Sequence, residues 1–283
     1  MSGLDPVAVE LIVRTALAED LGDPPRDVTS EATIGADQVD TAELVARAPG
    51  VVAGLTVAAE VFAVTSGGTA EVEFRAADGD RVVRGDVLAV ITGSTRALLT
   101  AERTALNLLC RMSGVATHTR AWADLLAGSR ATVLDTRKTT PGLRILEKYA
   151  VRVGGGTNKR MGLYDVAMIK DNHKLAAGSI TAAYRLVRET FPEVGVQVEV
   201  TTVGEAEEAV AAGADFLLCD NMSTELLREV VAAVGDRAEL EATGNLTLET
   251  AAAYAATGVD YLSVGALTHS SPILDIAMDL RQR

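Results

Sequence analysis

Hydrophobic and polar positions change their pattern partway along the chain. From Asp5 to Asp20 apolar residues recur at helical spacing, and the breaker run GDPPRD follows. Short β-type runs come next, AELVARAPGVVAG and AEVEFRAADGDRVVRGDVLAVITG, with turns at Asp78-Gly79 and Gly85-Asp86. Between them LTVAAEVFAVT predicts a helix, and a long helical pattern runs from Ser94 to Gly128. The first part of the chain is therefore expected to be an α+β layer on a largely antiparallel sheet.

The second part alternates strands and helices. Strand-like runs TVLDT, VAMIKD, VQVEVT, ADFLLCD, AELEATG and VDYLSVG are separated by helical patterns such as SITAAYRLVRETF, GEAEEAVAAG, TELLREVVAAVG and TLETAAAYAATG. This order predicts a parallel sheet. Two units, EAVAAGADFLLCDN and AAYAATGVDYLSVG, share one plan. A repeated βα unit predicts a closed α/β barrel, with an open doubly wound sheet as the alternative.

Composition adds limits on domain count and location. At 283 residues and 48% apolar content, the chain can form one large domain or two unequal ones. Its opening lacks the basic and apolar regions of a secretory signal, and no stretch approaches the ~20 apolar residues of a membrane span, so we expect a cytoplasmic protein. Cys110 and Cys219 stand far apart with no CxxC partner, so we expect two buried thiols rather than a disulfide or a zinc site.

Charge is distributed unevenly along the chain. The net charge of −13 argues against binding to nucleic acids or anionic membranes, which requires a broad basic surface. Yet the block from Arg137 to Lys174 holds nine Lys or Arg residues against three acids. These cations alternate with Gly-rich turns and an apolar strand-like run, which favours a site for a small, multiply charged anion over a solvated helix face.

The predicted strands of the second part end in polar residues or glycine. In a βα barrel these carboxyl ends form the face where ligands bind. A single strand-end acid is explained by helix capping, but a whole ring favours a ligand site. The residues at these ends are Asp135, Lys170, Glu199, Asp220, Glu241 with Thr243, and Gly265.

A set of ordered motifs resembles the quinolinate phosphoribosyltransferase family, the carboxylating nicotinate-nucleotide pyrophosphorylases. They are EDLG, DVTS, GVVAG, TAERTALNLL, SGVAT, DTRKTTPGLR, EKYAVRVGGG, IKDNH, VEV, CDNM, EATGN and GVDYLSVGALTHS, and they cover nearly the full length. The resemblance implies an N-terminal open-faced α+β sandwich domain (residues 1–110) and an incomplete, seven-stranded α/β barrel with the active site (111–270). It also implies a C-terminal segment (271–283) that returns to the N-terminal domain.

The resemblance also implies an activity and an assembly. The phosphoribosyl group of phosphoribosyl pyrophosphate would pass to quinolinate with decarboxylation, giving nicotinate mononucleotide, pyrophosphate and CO2 for NAD biosynthesis. The implied assembly is a homodimer, with higher oligomers left open, in which each active site borrows Arg103 from the partner subunit. No nucleic acid or membrane partner is implied.

Roles for individual residues follow from the same resemblance. Lys138, Lys170, Glu199 and Asp220 would be catalytic. Mg²⁺ would accompany the pyrophosphate, and Glu199 with Asp220 suits it because magnesium uses few protein carboxylates. His173 and His269 are left outside the catalytic set. The implied substrate-binding residues are Arg103, Thr136, Arg137, Lys138, Lys159, Arg160 and Lys170, with Thr243, Gly244, Asn245, Gly265 and Ala266 around the 5-phosphate.

Three positions depart from the family pattern. Lys159 stands where most members have His, Thr243 where Ser is usual, and Thr201 where many members carry an acid. A pathway-specific paralogue that acts on another pyridine carboxylate is therefore one alternative function. A Schiff-base lyase that uses Lys170 is a second, and a non-catalytic phosphate-binding protein is a third.

Overall fold

The computed structural model of the chain describes residues 3–281. Its elements, in chain order, are α1 (Pro6–Leu21), α2 (Val28–Thr33), β1 (Val39–Ala46), β2 (Gly50–Val51), α3 (Leu55–Thr65), β3 (Glu71–Phe74), β4 (Arg81–Val82), β5 (Val87–Ser94), α4 (Thr95–Leu125), β6 (Thr132–Leu134), α5 (Arg144–Val153), β7 (Val166–Ile169), α6 (Asp171–Ala177), α7 (Ile180–Thr190), β8 (Gly195–Val200), α8 (Val203–Ala211), β9 (Phe216–Asp220), α9 (Thr224–Val234), β10 (Glu239–Thr243), α10 (Leu248–Ala255), β11 (Tyr261–Ser263), α11 (Ala266–His269) and β12 (Ile276–Leu280).

The chain divides into two units. The first comprises residues 1–120, 139–155 and 268–283, and the second comprises 121–138 and 156–267. The boundary falls inside the long helix α4, which had been predicted as one continuous helix.

The first unit is built on an antiparallel sheet in the order β12-β1-β5-β3. Residues from the two ends of the chain meet in it, since Ala46 of β1 pairs with Ile276 of β12. Helix α1 buries Val9, Val13 and Leu17, which lie on one face because helical neighbours are three or four residues apart. These elements confirm the predicted α+β layer on an antiparallel sheet.

The second unit contains a parallel sheet in the order β6-β11-β10-β9-β8-β7. All six strands were predicted from the sequence, and α7, α8, α9 and α10 lie between successive strands from β7 to β11 and supply the crossovers that parallel pairing requires. The order and direction of these strands confirm an α/β arrangement. Because every neighbouring pair is parallel, the carboxyl ends of all six strands lie along one edge of the sheet.

Two details of the fold differ from the sequence-based expectations. The described residues form six strands in the parallel sheet, so a seventh is not confirmed; beside β6 there is only an isolated parallel bridge between Leu134 and Thr157. Helix α2 was not predicted. It begins after Asp27, whose carboxylate accepts a hydrogen bond from the backbone N–H of Ser30, so a six-residue helix forms directly after the breaker run.

Within residues 3–281, no helix is both long enough and apolar enough to cross a bilayer.

Candidate active site

A cavity of about 260 Å³ opens at the carboxyl ends of the parallel strands, within the second unit. Nine of the residues implied by the family resemblance line it. They are Thr136, Arg137, Lys138, Lys159, Arg160, Lys170, Glu199, Asp220 and Thr243, and the other lining residues are Met168, Leu218, Glu241 and Ser263.

The two-residue period of β-strands explains why these side chains meet. Side chains at i and i+2 project from the same face of a strand, so one strand delivers one side chain to the rim and another to the layer below it. Leu218 and Asp220 come from β9 in this way, and Glu241 and Thr243 from β10. Because Asp220 pairs with Thr243 across the sheet, these two side chains lie at the same height along their strands, at the rim of the cavity.

An ion pair joins two of the predicted catalytic residues. The Nζ atom of Lys170, after β7, lies 2.9 Å from Oε2 of Glu199, near the end of β8. The Glu199 side chain is 9% exposed, whereas that of Lys170 is 48% exposed and reaches solvent. Asp220 ends the next strand, where its Oδ2 accepts a hydrogen bond of 2.9 Å from Nδ2 of Asn221. Two carboxylates on adjacent strands and one lysine thus form one side of the cavity.

Lys159 is a largely enclosed cation of the cavity. Its Nζ donates to Oε1 of Glu241 at 2.5 Å, with the two side chains 9% and 0% exposed. Burial lowers the pKa of the Lys159 ammonium, and the charge of Glu241 acts in the opposite direction. At the position where the family usually has His, this chain therefore holds a lysine fixed by a buried carboxylate.

Asp135 fixes the segment that carries Lys159. It follows β6 and is fully buried, and its carboxylate accepts hydrogen bonds of 2.7 Å from the backbone N–H of Lys159 and from Nδ2 of Asn158. A buried carboxylate that receives two such bonds holds its donors strongly. Asp135 was predicted as a strand-end residue, and the structure gives it a positioning role beneath the cavity lining.

The cavity is cationic overall. Five Lys or Arg side chains and three carboxylates line it, which gives a formal net charge of +2. Arg160 lies close enough to Arg137 to be affected by it, since burial, and next the charge of Arg137, lowers the pKa of the Arg160 guanidinium. Placing cations together in a partly enclosed site costs free energy, and a bound anion offsets that cost. The arrangement can bind a small dianion.

The turn after β10 requires unusual backbone conformations. Gly244 has φ +101° and Asn245 has φ +51°. A Cβ atom at Gly244 would lie 2.1 Å from Oδ1 of Asn221, so only glycine fits. Neither residue lines the cavity itself, and the same is true of Gly265, two residues after the end of β11, and of Ala266, which begins α11.

Arg103 belongs to the first unit, where its side chain is exposed on α4. Its predicted role requires a second subunit.

The basic block is not a single site. Only five of its nine cations line the cavity. Lys174, for example, binds Asp171 at 2.7 Å and Glu205 at 2.9 Å, and Arg152 donates to the carbonyl of Gly3. The charge pattern therefore located the site but overestimated how many cations it contains.

The histidines and cysteines have local partners or are buried. The Nδ1 atom of His173 accepts a hydrogen bond of 3.0 Å from the backbone N–H of Lys170, and Nδ1 of His269 lies 2.6 Å from Oγ of Ser270. Cys110 and Cys219 are both buried, as expected, and desolvation raises the pKa of the Cys219 thiol to about 12.

Besides the apolar Met168 and Leu218, two polar residues of the site were not predicted as part of it. Ser263 lines the cavity, and Gln197 lies behind it, fully buried, with Nε2 2.5 Å from Oε2 of Glu241. One signal in the sequence pointed to Gln197: it is a polar residue in an apolar strand, two positions before Glu199, and therefore on the same face.

Among the residues that the structure describes, no group of three or more His, Cys, Asp or Glu side chains could hold a metal ion. Glu199 and Asp220 form a pair of carboxylates, which suits a cation that keeps several water or substrate ligands of its own.

Comparison with known proteins identifies relatives of both parts of the chain. Models of the quinolinate phosphoribosyl transferase N-terminal and C-terminal domains match residues 27–113 and 115–279. The chain is 49% identical over 275 residues to the carboxylating nicotinate-nucleotide pyrophosphorylase of Mycobacterium leprae, covering 95% of both chains. It is 40% identical over 288 residues to the decarboxylating quinolinate phosphoribosyltransferase 1b of Nicotiana tabacum, covering 95% of this chain and 81% of that protein.

Solved structures agree with these sequence matches. The crystal structure of NadC from Streptococcus pyogenes superposes on this chain with a TM-score of 0.94 at 40% identity, covering 99% of both chains. The nicotinate-nucleotide pyrophosphorylase of Francisella tularensis gives a TM-score of 0.93 at 35% identity, covering 98% of both. With both domain models matched and the fold shared along the chain, this protein belongs to the quinolinate phosphoribosyl transferase family.

Proposed function

We propose that this protein transfers the phosphoribosyl group of phosphoribosyl pyrophosphate to quinolinate and releases CO2, forming nicotinate mononucleotide for NAD biosynthesis. The observation that carries the proposal is the cavity at the strand ends, where five cations meet the acids Glu199 and Asp220 in a chain of this family. Relatives over nearly the whole chain are named for this reaction.

The chemistry explains why the site needs cations more than a nucleophile. The ring nitrogen of quinolinate forms a bond to C1 of the ribose while the C1–O bond to pyrophosphate breaks. The resulting pyridinium accepts the electron pair that remains when the neighbouring carboxylate leaves as CO2, and a proton then replaces that group on the ring. Two carboxylates beside a cationic sugar carbon must be held in place, which suits planar, bidentate guanidinium groups such as those of Arg137 and Arg160.

Lysines have a different task in the proposed reaction. Lys138 and Lys170 contribute point charges at the rim, where charge develops on the departing pyrophosphate. Lys159 supplies a positive charge to quinolinate, the acceptor of the phosphoribosyl group, from the side-chain layer below the rim. Thr136 lines the cavity as a hydroxyl donor, and its Oγ1 also accepts a hydrogen bond of 3.1 Å from the backbone N–H of Lys138, which orders this loop.

We further propose that Mg²⁺ enters with phosphoribosyl pyrophosphate. Glu199 and Asp220 would hold it, because this ion binds through one or two carboxylates together with phosphate oxygens. When bound, it would neutralise charge on the pyrophosphate. The 5-phosphate would be held by the turns at Thr243, Gly244 and Asn245 and at Gly265 and Ala266, where glycine allows close approach of the backbone.

The assembly proposed is a homodimer with shared active sites. Its support is the exposed position of Arg103 and a second, more apolar groove on the unit that holds the cavity, lined in part by the exposed Leu163 and Leu186. An apolar surface of this kind is suited to a protein partner. The domain division at residues 110 and 270 and a cytoplasmic location are likewise proposals.

An assay of the purified protein with Mg²⁺ and phosphoribosyl pyrophosphate tests the function. Quinolinate and nicotinate are offered separately, and mononucleotide and CO2 are followed. Product and gas from quinolinate alone support the proposal. No product from either acid would reject it in favour of a paralogue that acts on another pyridine carboxylate, for which Lys159 in place of the usual His is the specific support.

A further inference from the structure

Glu241 gathers donors from three other segments of the chain although its own side chain has no access to solvent. Oε1 accepts from Nζ of Lys159 at 2.5 Å and from the hydroxyl of Ser263, and Oε2 accepts from Nε2 of Gln197 at 2.5 Å. The exposed fraction of the Glu241 side chain is 0%. A buried carboxylate with both oxygens engaged is held in one position.

Only one of these three donors is charged. Lys159 lines the cavity, while Gln197 lies behind it and Ser263 contributes a neutral hydroxyl. Glu241 precedes Thr243 by two residues on β10, so it lies one side-chain layer below the rim. The ion pair therefore runs from the buried layer to the cavity, with its positive end towards the space where an anion would bind.

We infer that Glu241 is a positioning residue for the reaction: it keeps the Lys159 ammonium charged and fixed at the floor of the cavity, where it meets an anionic group of the acceptor. The inference rests on the proposed function, because it assigns Lys159 to the acceptor dianion. Both oxygens of Glu241 are engaged by protein donors although the residue lines the cavity, so its proposed effect passes through Lys159.

The electrostatic surroundings of Lys159 explain why the carboxylate is needed. Burial lowers the pKa of its ammonium, the positive charges of Arg160 and Lys170 lower it further, and Glu241 opposes all three. Other charged or titratable groups of the surrounding strands and loops are Arg137 and Lys138 after β6, Asp135 at its end, Glu199 on β8, and Cys219 and Asp220 on β9.

Substitution of Glu241 by Gln removes the charge and keeps the size of the side chain. The Lys159 pKa then falls, so the lysine loses its proton at a lower pH than in the parent. Quinolinate stays a dianion from about pH 6.5 to about pH 8.5 because carboxylates ionise near pH ~4. The affinity of Glu241→Gln for quinolinate should consequently fall as pH rises, whereas that of the parent should change little.

Titration calorimetry at about pH 6.5 and about pH 8.5 tests this inference on the full chain. We expect Kd of Glu241→Gln for quinolinate to increase about tenfold or more between the two pH values, as one unit of pKa corresponds to a factor of ten. Ser263→Ala is the matched control, since it removes a donor to Glu241 but leaves the charge of the pair, so its Kd should vary with pH as the parent's does. Thermal unfolding of each variant verifies that it is folded.

The double variant Glu241→Gln/Lys159→Met identifies the titrating group. It should lose the pH dependence, because no lysine remains at this position. A folded Glu241→Gln whose Kd for quinolinate is as independent of pH as that of the parent would overturn the inference, as would a pH dependence that persists in the double variant. Failure of the parent to bind or convert quinolinate would instead reject the proposed function, and this inference with it.

Discussion

The Lys170 ammonium and the Glu199 carboxylate form an ion pair of 2.9 Å across the carboxyl ends of two adjacent strands. A lysine at the end of a strand in an α/β fold also suits a Schiff-base enzyme, where a neutral amine attacks a carbonyl. Here the nitrogen already donates to a carboxylate, and four other cations line the same cavity. This geometry favours a role for Lys170 as a charge rather than as a nucleophile.

Lys170 should therefore be needed for its charge. We expect Lys170→Met to lower kcat by about 100-fold, the usual loss when a group that stabilises developing charge is removed. Lys170→Arg, the control that keeps the charge, should retain more activity. Borohydride treatment of the parent with its substrates, followed by mass spectrometry, should leave Lys170 unmodified; a reduced adduct on this residue would establish the lyase alternative.

Glu199 and Asp220 should determine the Mg²⁺ concentration that activity requires. Oxygen ligands are required by this hard cation, so Glu199→Gln and Asp220→Asn should each raise the Mg²⁺ concentration for half-maximal activity by about tenfold or more. Glu189→Gln is a suitable control, because Glu189 is an exposed residue near the end of α7. The test measures the activity of each variant as a function of Mg²⁺ concentration. Unchanged Mg²⁺ requirements in both strand-end variants would reject the assigned ligands.

The proposed sharing of active sites between subunits predicts the activity of mixed dimers. Arg103→Ala and Lys138→Ala homodimers should both be inactive. In a heterodimer one site would combine an intact Lys138 with an intact Arg103, so random mixing should restore about a quarter of parental activity. The mixture is assayed after unfolding and refolding the two variants together, with exchange verified by a tag on one subunit. Absence of recovery in verified heterodimers would contradict a shared site.

Local patterns predicted the elements and one edge of the cavity, and the family resemblance supplied most of its other residues. Short apolar runs between helical patterns identified the six parallel strands, and their order placed Lys170, Glu199 and Asp220 along one edge of the sheet, where the structure has them. The same pattern does not specify which buried groups bind one another. Lys159 and Glu241 are 82 residues apart in the sequence, and their contact depends on the packing of the segment that bridges to β6 at Thr157.

Long-range contacts also determine which segments belong to each of the two units. Residues 139–155 belong to the first unit although they follow β6 of the second. Glu147 on α5, fully buried, is bound there by Arg111 of α4 and by Thr140. No periodicity within α5 indicates these partners. The chain pattern therefore predicts elements and their faces, whereas the choice of partners for buried charges requires the tertiary structure.

Breaking the buried pair of Arg111 and Glu147 should be strongly destabilising. Arg111 donates to Oε1 of Glu147 from Nε at 3.0 Å and from Nη2 at 2.8 Å, and Nη1 donates to the carbonyl of Ser271 at 3.0 Å. Arg111→Leu should cost about 3–5 kcal/mol, because it leaves the Glu147 charge buried without its cation. Addition of Glu147→Gln should recover part of that loss by removing the charge.

Chemical denaturation of the Arg111 variants measures the effect. Arg14→Ala is the control, since Arg14 and Glu10 form an exposed pair on α1 and the change should cost about 0.5 kcal/mol or less. Equal destabilisation by the two arginine substitutions would show that burial of Glu147 does not determine the cost.

The cap of α2 should make stability depend on pH in the acid range. Hydrogen bonds from Ser30 lower the pKa of the Asp27 carboxyl, and Oδ2 also accepts from the hydroxyl of Thr100 at 2.9 Å. A carboxyl whose pKa is lowered in the folded state contributes stability above its unfolded pKa of ~4, and that contribution is lost as pH falls through the folded pKa. Asp27→Ala should therefore cost about 1 kcal/mol at neutral pH, the usual value for an N-cap, and less as pH falls below ~4.

Urea denaturation of the parent and of Asp27→Ala at several pH values tests this prediction. Asp5→Ala, which removes the N-cap of α1, serves for comparison. A difference in stability between Asp27→Ala and the parent that stays constant down to acid pH would show that the charge of Asp27 does not contribute to the cap.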